Sequence, residues 1–262
     1  MASPHLDEAF RALFADMAAA WRTAPQPDGI FLAEVDRAGL AEVGVIAVIH
    51  GWMARLTRSG EAALLCDGQG YGEEASPLIR SMLEHAIGLW WLVDQRGDAF
   101  QALARSRSNQ MKRLDDAQKY GWSIGDDETQ RLLAEAISLE TDEASKSADR
   151  LLALAHQAKE YGLGEFFQAW LVESWTSHAS LASAKAYYWQ EPDQGDGPEA
   201  ITLLLNPVGD HRELAAAVTS AMHMALVAYD RLLAGQPLAA RLTAWQQRFE
   251  ALGARLAVEH GA

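Results

Sequence analysis

The residues best suited to chemistry sit in one stretch, Ser76 to Asp94, SPLIRSMLEHAIGLWWLVD. It places Arg80, Glu84 and His85 among apolar neighbours, where an unpaired polar group costs several kcal/mol, of order 2–7 for neutral groups and more for charges. Arg80 and Glu84 are four apart, so on a helix they share a face and can pair. An arginine held this way can bind an anion, with Glu84 orienting it. A histidine nearby can move protons near neutral pH. A later stretch, ESWTSHAS, brings Ser174 and His178, also four apart. The catalytic candidates are therefore Arg80, Glu84, His85 and His178. The competing reading is a structural Arg80–Glu84 pair bridging two helices. Ser177 next to His178 is no hydrolase dyad, because neighbours on a helix point about 100° apart, and no glycine-elbow motif surrounds either serine.

The chain carries nine tryptophans. Trp90, Trp91, Trp175 and Tyr187, with Ser174 and the basic Arg105, are the candidates for a ligand pocket. Bulk core packing is the alternative for the aromatics. Trp91, eleven residues after Arg80, returns to roughly that face, so Arg80, Glu84 and Trp91 could line one cleft. Leu78, Met82, Ala86, Leu89 and Val93 form a separate apolar stripe, and His85 is expected to lean toward it. His50, His85, His178 and His223 fall one per helix, without a Glu-x-x-His or His-Glu-x-x-His spacing. No metal and no cofactor are expected. The glycines of Asp67–Gly72 lack the preceding strand and following Lys-Ser/Thr of a phosphate loop.

These residues need helices to hold them, and the patterning supplies little else. Leu6–Trp21 reads as an amphipathic helix. Ala33–Arg58 reads as a second, with a separate turn at Ala62–Cys66. Ser76 before Pro77 reads as an N-cap for a central helix over 76–94. Gln95–Asp98 reads as a turn into another helix, Ala99–Tyr120, the most basic stretch. Helices follow at Asp126–Leu139, Ser145–Tyr161 and Glu165–Trp189, the last long and unbroken. Ile201–Leu205 reads as a helical turn or an isolated extended piece. Asp210, with Glu213 three residues later, is expected to cap a helix over His211–Ala234, and Leu238–Val258 is the last. The fold class is all-α, a single bundle-like domain over 1–262 with about eight or nine helices.

Composition sets the class. Hydrophobic residues make up 49% of 262, enough for a large core without disulfides. The net charge of −14 disfavours broad attraction to nucleic acid or an anionic membrane. The single cysteine, Cys66, forms no intrachain disulfide and suits a reducing, cytoplasmic setting. The longest uncharged run, Leu214–Tyr229, is short for a membrane span and reads as a buried helix. No membrane association and no secretory signal are expected.

RSMLEHAIGLWWL, the basic helix after it and ESWTSHAS together resemble a family of bacterial helical proteins of unknown function. That family pairs an Arg-x-x-x-Glu helix with a later Ser-x-x-x-His segment. The matching positions are Arg80, Glu84, Ser174 and His178, and the resemblance spans about Ile46–Tyr188. Arg80 and His85 also resemble the Arg-x4-His signature of the HEPN superfamily, helical domains that often dimerise and often cleave RNA without a metal. The resemblance implies a homodimer in which Arg80 contacts a scissile phosphate and His85 acts as acid or base. Three features depart from it: the early position, Ser81 after the arginine, and the acidic chain. The function expected is thus a HEPN-like, phosphate-directed site that cleaves RNA. The alternatives are a small-molecule-binding protein with an aromatic pocket, or a non-catalytic interaction protein.

Overall fold

The structure, a computed structural model, describes residues 4–24, 37–117, 152–190, 201–207 and 213–259. Among these, eight α-helices and one short hairpin follow in order. They are α1 Pro4–Thr23, α2 Arg37–Gly68, α3 Ser76–Ala117, α4 Leu154–Glu160, α5 Gly164–Ser177, α6 Leu181–Lys185, β1 Tyr188–Gln190, β2 Ile201–Leu203, α7 Leu214–Asp230 and α8 Ala239–Glu259. The expected all-α class holds. The helix expected at Asp126–Leu139, and the first part of the one at Ser145–Tyr161, lie outside the described residues.

One hydrophobic core joins the helices. α1 contributes Leu6, Phe10, Leu13 and Met17, the three-and-four spacing of a single buried face. α2 contributes Val45, Ile49, Met53 and Leu56, and α3 contributes Ile79, Met82, Ala86, Leu89 and Val93. α7 is apolar nearly all round and packs against α1, α2, α3 and α8, as a helix without a polar face must. No helix among the described residues is long and apolar enough to cross a membrane. Two threonine hydroxyls in this core bond to carbonyls. Thr219 Oγ1 donates to Ala215 O at 2.6 Å and reaches Phe10 O at 3.0 Å, and Thr57 Oγ1 donates to Met53 O at 2.8 Å. α8 docks on α1 through Asp16, which accepts from Trp245 Nε1 at 2.7 Å and Arg241 at 2.9 Å.

α3 is central, as the sequence suggests: it packs on α2, α4, α5 and α7. Ser76 is not its N-cap. A 3-10 turn, Glu73–Ala75, runs straight into the helix and leaves Ser76 with helical φ/ψ, its side chain accepting from Thr176 Oγ1 at 2.9 Å. The turn expected at Gln95–Asp98 exists as a sharp break at Arg96, with φ 43 and ψ −113.

Three further boundaries differ from expectation. α2 does not stop at Arg58; it runs through Gly60 to Gly68, absorbing the separate turn expected at Ala62–Cys66. At Gly60 both α1 and α3 press against α2, and a Cβ there would stand 2.7 Å from two Phe14 ring atoms and 2.9 Å from the Met82 methyl. The long helix expected over Glu165–Trp189 ends at Ser177, and His178 is extended. The Thr176 and Ser177 hydroxyls bond back to the Glu173 carbonyl, which competes with helix continuation. Ser180 and Ser183 then form a capping box that starts α6. Ile201–Leu203 is not isolated: it pairs antiparallel with Tyr188–Gln190. α7 starts at Leu214 with Glu213 at its N-cap position and no side-chain cap bond, so Glu213 does not stand inside the helix as the capping-box reading required. α7 ends at Asp230, whose Oδ1 accepts from Leu238 N at 2.9 Å.

Two glycines of α2 should respond in opposite directions. Gly60→Val should destabilise by about 1–3 kcal/mol through overpacking. Gly51, with nothing within 4 Å of its added Cβ, should gain about 0.5–1 kcal/mol as Ala from helix propensity. Urea unfolding of both variants checks the pair; a neutral Gly60→Val contradicts the close packing.

Candidate functional site

The bend at Arg96 creates a cleft that neither half of α3 could form alone. On a straight helix, the Cα atoms of residues 84 and 106 would stand about 33 Å apart. Here Glu84, His85, Gly88 and Trp91 from before the bend share one cleft of ≈ 250 Å³ with Leu103 and Ser106 from after it. Trp52 of α2 forms another wall, with Leu152 and the α4 residues Leu154 and Gln157. Beside the bend, Asp94 accepts from the Tyr161 hydroxyl at 2.9 Å and from Gln95 Nε2 at 2.8 Å, and lies 3.8 Å from Arg231. Burial and the Asp94 contact push the Tyr161 phenol up to about 12, so it stays a hydrogen-bond donor at any ordinary pH.

Gly88 allows the Trp52 wall to approach. A Cβ at Gly88 would stand 2.7 Å from the Trp52 ring. That ring meets the His85 imidazole edge to face, centroids 5.6 Å apart and planes at 80°. His85 Nδ1 lies 2.6 Å from the Ser81 carbonyl oxygen. A carbonyl only accepts, so Nδ1 carries the proton. Burial lowers the His85 pKa from 6.5; the Ser81 carbonyl and Glu84 oppose the shift and Arg55 adds to it. At neutral pH the ring is therefore the Nδ1–H neutral tautomer, with a lone pair on Nε2. Glu84 is exposed at the same cleft. Trp91 is 1% exposed, and its buried indole N–H has no hydrogen-bond partner among the described residues. His85, expected to lean toward the apolar stripe, is half-buried and lines the cleft beside the Trp52 ring.

Arg80 does not line this cleft. Its Nε donates to Ser174 Oγ at 2.9 Å, and its guanidinium lies over the Trp170 ring, 5.2 Å from the centroid. Ser174 in turn donates to the Trp170 carbonyl at 2.7 Å. No Arg80–Glu84 ion pair occurs among the described residues, so the pairing that the i, i+4 spacing permits is replaced by a cross-helix bond to α5. The sequence linked Arg80 to the Ser174 segment, and the structure brings those two together. His178, just past the end of α5, is exposed. Because α5 stops at Ser177, Ser174 and His178 do not continue along one helical face.

The other aromatic candidates disperse. Trp90 Nε1 donates to the Met224 carbonyl at 3.1 Å, and its ring lies under Arg231. Trp175 is exposed, and the Tyr187 hydroxyl donates to Glu74. Only Trp91 of the four lines the cleft. The Arg105 side chain lies outside the described residues. His50 is exposed beside the Trp21 ring, and His223 Nε2 meets the Leu242 carbonyl at 3.2 Å. Among the described residues no group of three or more His, Cys, Asp or Glu is placed to hold a metal.

Sequence reasoning missed Trp52, Gly88, Leu103, Ser106, Leu152, Leu154 and Gln157. One signal was available: Glu84, Gly88 and Trp91 follow the i, i+4, i+7 spacing of a single face, with a glycine where a wall must come close.

Residues 46–196, more than half the chain, match the Family of unknown function (DUF5677). The chain belongs to that family. It matches no curated protein and no solved structure. The DUF5677 segment includes every residue lining the cleft, together with Arg80, Ser174 and His178. It excludes α1, the buried α7 and α8, which complete the core. The resemblance to an uncharacterised helical family over about Ile46–Tyr188 agrees with this match.

His85 and His223 make stability depend on pH. Burial lowers both pKa values below 6.5, so the unfolded chain binds protons more readily than the folded one. Their contribution is complete above pH 6.5 and is lost as pH falls through the folded values. Thermal melting from pH 7.5 to 5 should show Tm falling below pH 6.5, and His223→Gln should make that fall shallower. An unchanged slope in the variant contradicts the burial of a neutral imidazole at position 223.

Proposed function

We propose that the cleft between the two halves of α3 binds a small, uncharged polar molecule, with His85 as its principal hydrogen-bond acceptor and available as a general base. The observation that carries this is the fixed, neutral His85, with Nδ1–H directed to the Ser81 carbonyl at 2.6 Å and Nε2 left as an acceptor, in a cleft that also holds a carboxylate and two tryptophans. Orienting one ring nitrogen through a backbone carbonyl is the arrangement by which proteins set the tautomer of a working histidine.

A second reading rests on Arg80. Its guanidinium is pinned by Ser174 and Trp170 and has no carboxylate partner among the described residues, so its charge is available to a phosphate. This is the HEPN-like, RNA-cleaving reading, in a homodimer whose mass sedimentation equilibrium would read directly. It takes second place because Arg80 and His85 do not share the cleft and Glu84 opposes an anion there.

Two experiments separate the readings. Small neutral fragments that bind the protein by ligand-observed NMR should bind His85→Ala and Gly88→Ala at least tenfold more weakly. The second substitution drives a Cβ into the Trp52 wall. Fragments held equally by both variants contradict the cleft reading. Labelled RNA left intact by the wild-type chain removes the second reading; cleavage lost in both Arg80→Ala and His85→Ala would put it first.

A further inference from the structure

Six of the seven large apolar residues exposed among the described residues gather round the start of α3. Tyr71 precedes the 3-10 turn that runs into α3, and its N–H donates at 2.8 Å to the carbonyl of Cys66, the neighbour of the exposed Leu65. Val172 and Trp175 flank the same start from α5, where Thr176 Oγ1 donates to Ser76 Oγ at 2.9 Å. Leu203 and Leu205 flank it from the hairpin. There Leu204 N donates to the Tyr187 carbonyl at 2.9 Å, and the Tyr187 hydroxyl donates to Glu74. The seventh, Val258, stands near the end of α8.

The patterning of α5 is reversed for a surface helix, which turns charge to water and apolar residues inward. Glu173 is only 8% exposed, while Trp175 is 60% exposed. Gln168, Ala169, Val172 and Trp175 follow the i, i+1, i+4, i+7 spacing of one face; all four are exposed and none is charged. Leu203 and Leu205 are 82% and 98% exposed and alternate with the half-buried Leu204, so one side of this extended segment presents leucines to water. At roughly 150–250 Å² for a fully exposed residue of this size, the six residues present on the order of 800 Å². That exceeds the roughly 300–600 Å² of the largest apolar patch on a typical monomer. It is close to the area of about 800 Å² that each partner buries in a stable interface.

We infer that the end of the molecule around the start of α3 is an interface, and that its partner is a second copy of this chain. Charge and area favour that occupant. At net charge −14, two copies repel over most of their surfaces, and an uncharged apolar end is where they meet at least cost. A two-fold dimer sets one patch against itself, so the apolar residues of each copy face apolar residues of the other, and the area matches what such a pair buries. None of the six residues lines the cleft, so pairing is independent of what the cleft binds.

Sedimentation equilibrium of the full chain across the micromolar range should give twice the chain mass. Trp175→Glu on α5 and Leu205→Glu beside the hairpin should each weaken self-association at least tenfold, because each sets like charges on both sides of the two-fold axis. Both positions are exposed, so far-UV circular dichroism and Tm should match the wild type. If Trp175→Glu loses structure, Leu205→Glu decides alone. Val258→Glu, a new charge on an exposed apolar residue elsewhere, should leave the dimer intact. A wild-type monomer at the highest concentration assigns the patch to some other partner and overturns the pairing of copies. A dimer left intact by Trp175→Glu and Leu205→Glu, or one disrupted as strongly by Val258→Glu, overturns it as well.

Discussion

The arrangement depends on one backbone event, the break of α3 at Arg96. A non-glycine residue with φ 43 and ψ −113 is strained, and such conformations persist where surrounding contacts over-determine them. Those contacts are present on both sides. Before the break, Trp91, Leu92 and Val93 are buried; after it, Ala99 and Ala102 are buried, and Phe100 fills the space over Gly44 of α2. Tyr161 and Arg231 hold Asp94 in between. The apolar burial on each side offsets the local cost, and the result is a cleft whose opposing walls come from one helix.

The second constraint is electrostatic. A buried imidazole is favoured in its neutral form because burial penalises the charged one, and at His85 this outweighs the opposing pull of Glu84. Burial and the Ser81 carbonyl together set both the charge and the tautomer of His85. Arg80, one turn earlier, is handled differently. It lies on an indole and bonds to a serine hydroxyl rather than to a carboxylate. Two neighbouring polar residues on one helix thus serve separate places: His85 faces the cleft, while Arg80 joins α3 to α5.

Much of this was legible in the sequence. Apolar periodicity identified α1, α2, α3, α7 and α8, because each buries a regular stripe in the common core. The turn near Gln95–Asp98 was visible from Arg-Gly-Asp. The Arg80–Ser174 association was legible only as a suspected motif, since a contact between distant segments has no local signature. What was hidden follows from tertiary packing. Gly60 resembles a helix end until Phe14 and Met82 are seen to require a residue without a Cβ. The end of α5 at Ser177 depends on hydroxyls bonding back to a carbonyl, which composition alone does not reveal. His85 was a catalytic candidate expected to lean toward the apolar stripe, and the cleft that it lines beside Trp52 had no local signature. Trp90, Trp175 and Tyr187 were grouped with Trp91 by type, and the fold sends each elsewhere.

The state of His85 is the claim on which the functional account turns, and it can be measured without a ligand. A two-bond ¹H–¹⁵N spectrum of the histidine side chains at pH 7, with His85 assigned by its loss in His85→Gln, reports which ring nitrogen carries the proton. The account predicts a protonated Nδ1 and an unprotonated Nε2, titrating below the 6.5 of a free imidazole. An Nε2–H tautomer, or an imidazolium at neutral pH, would contradict it.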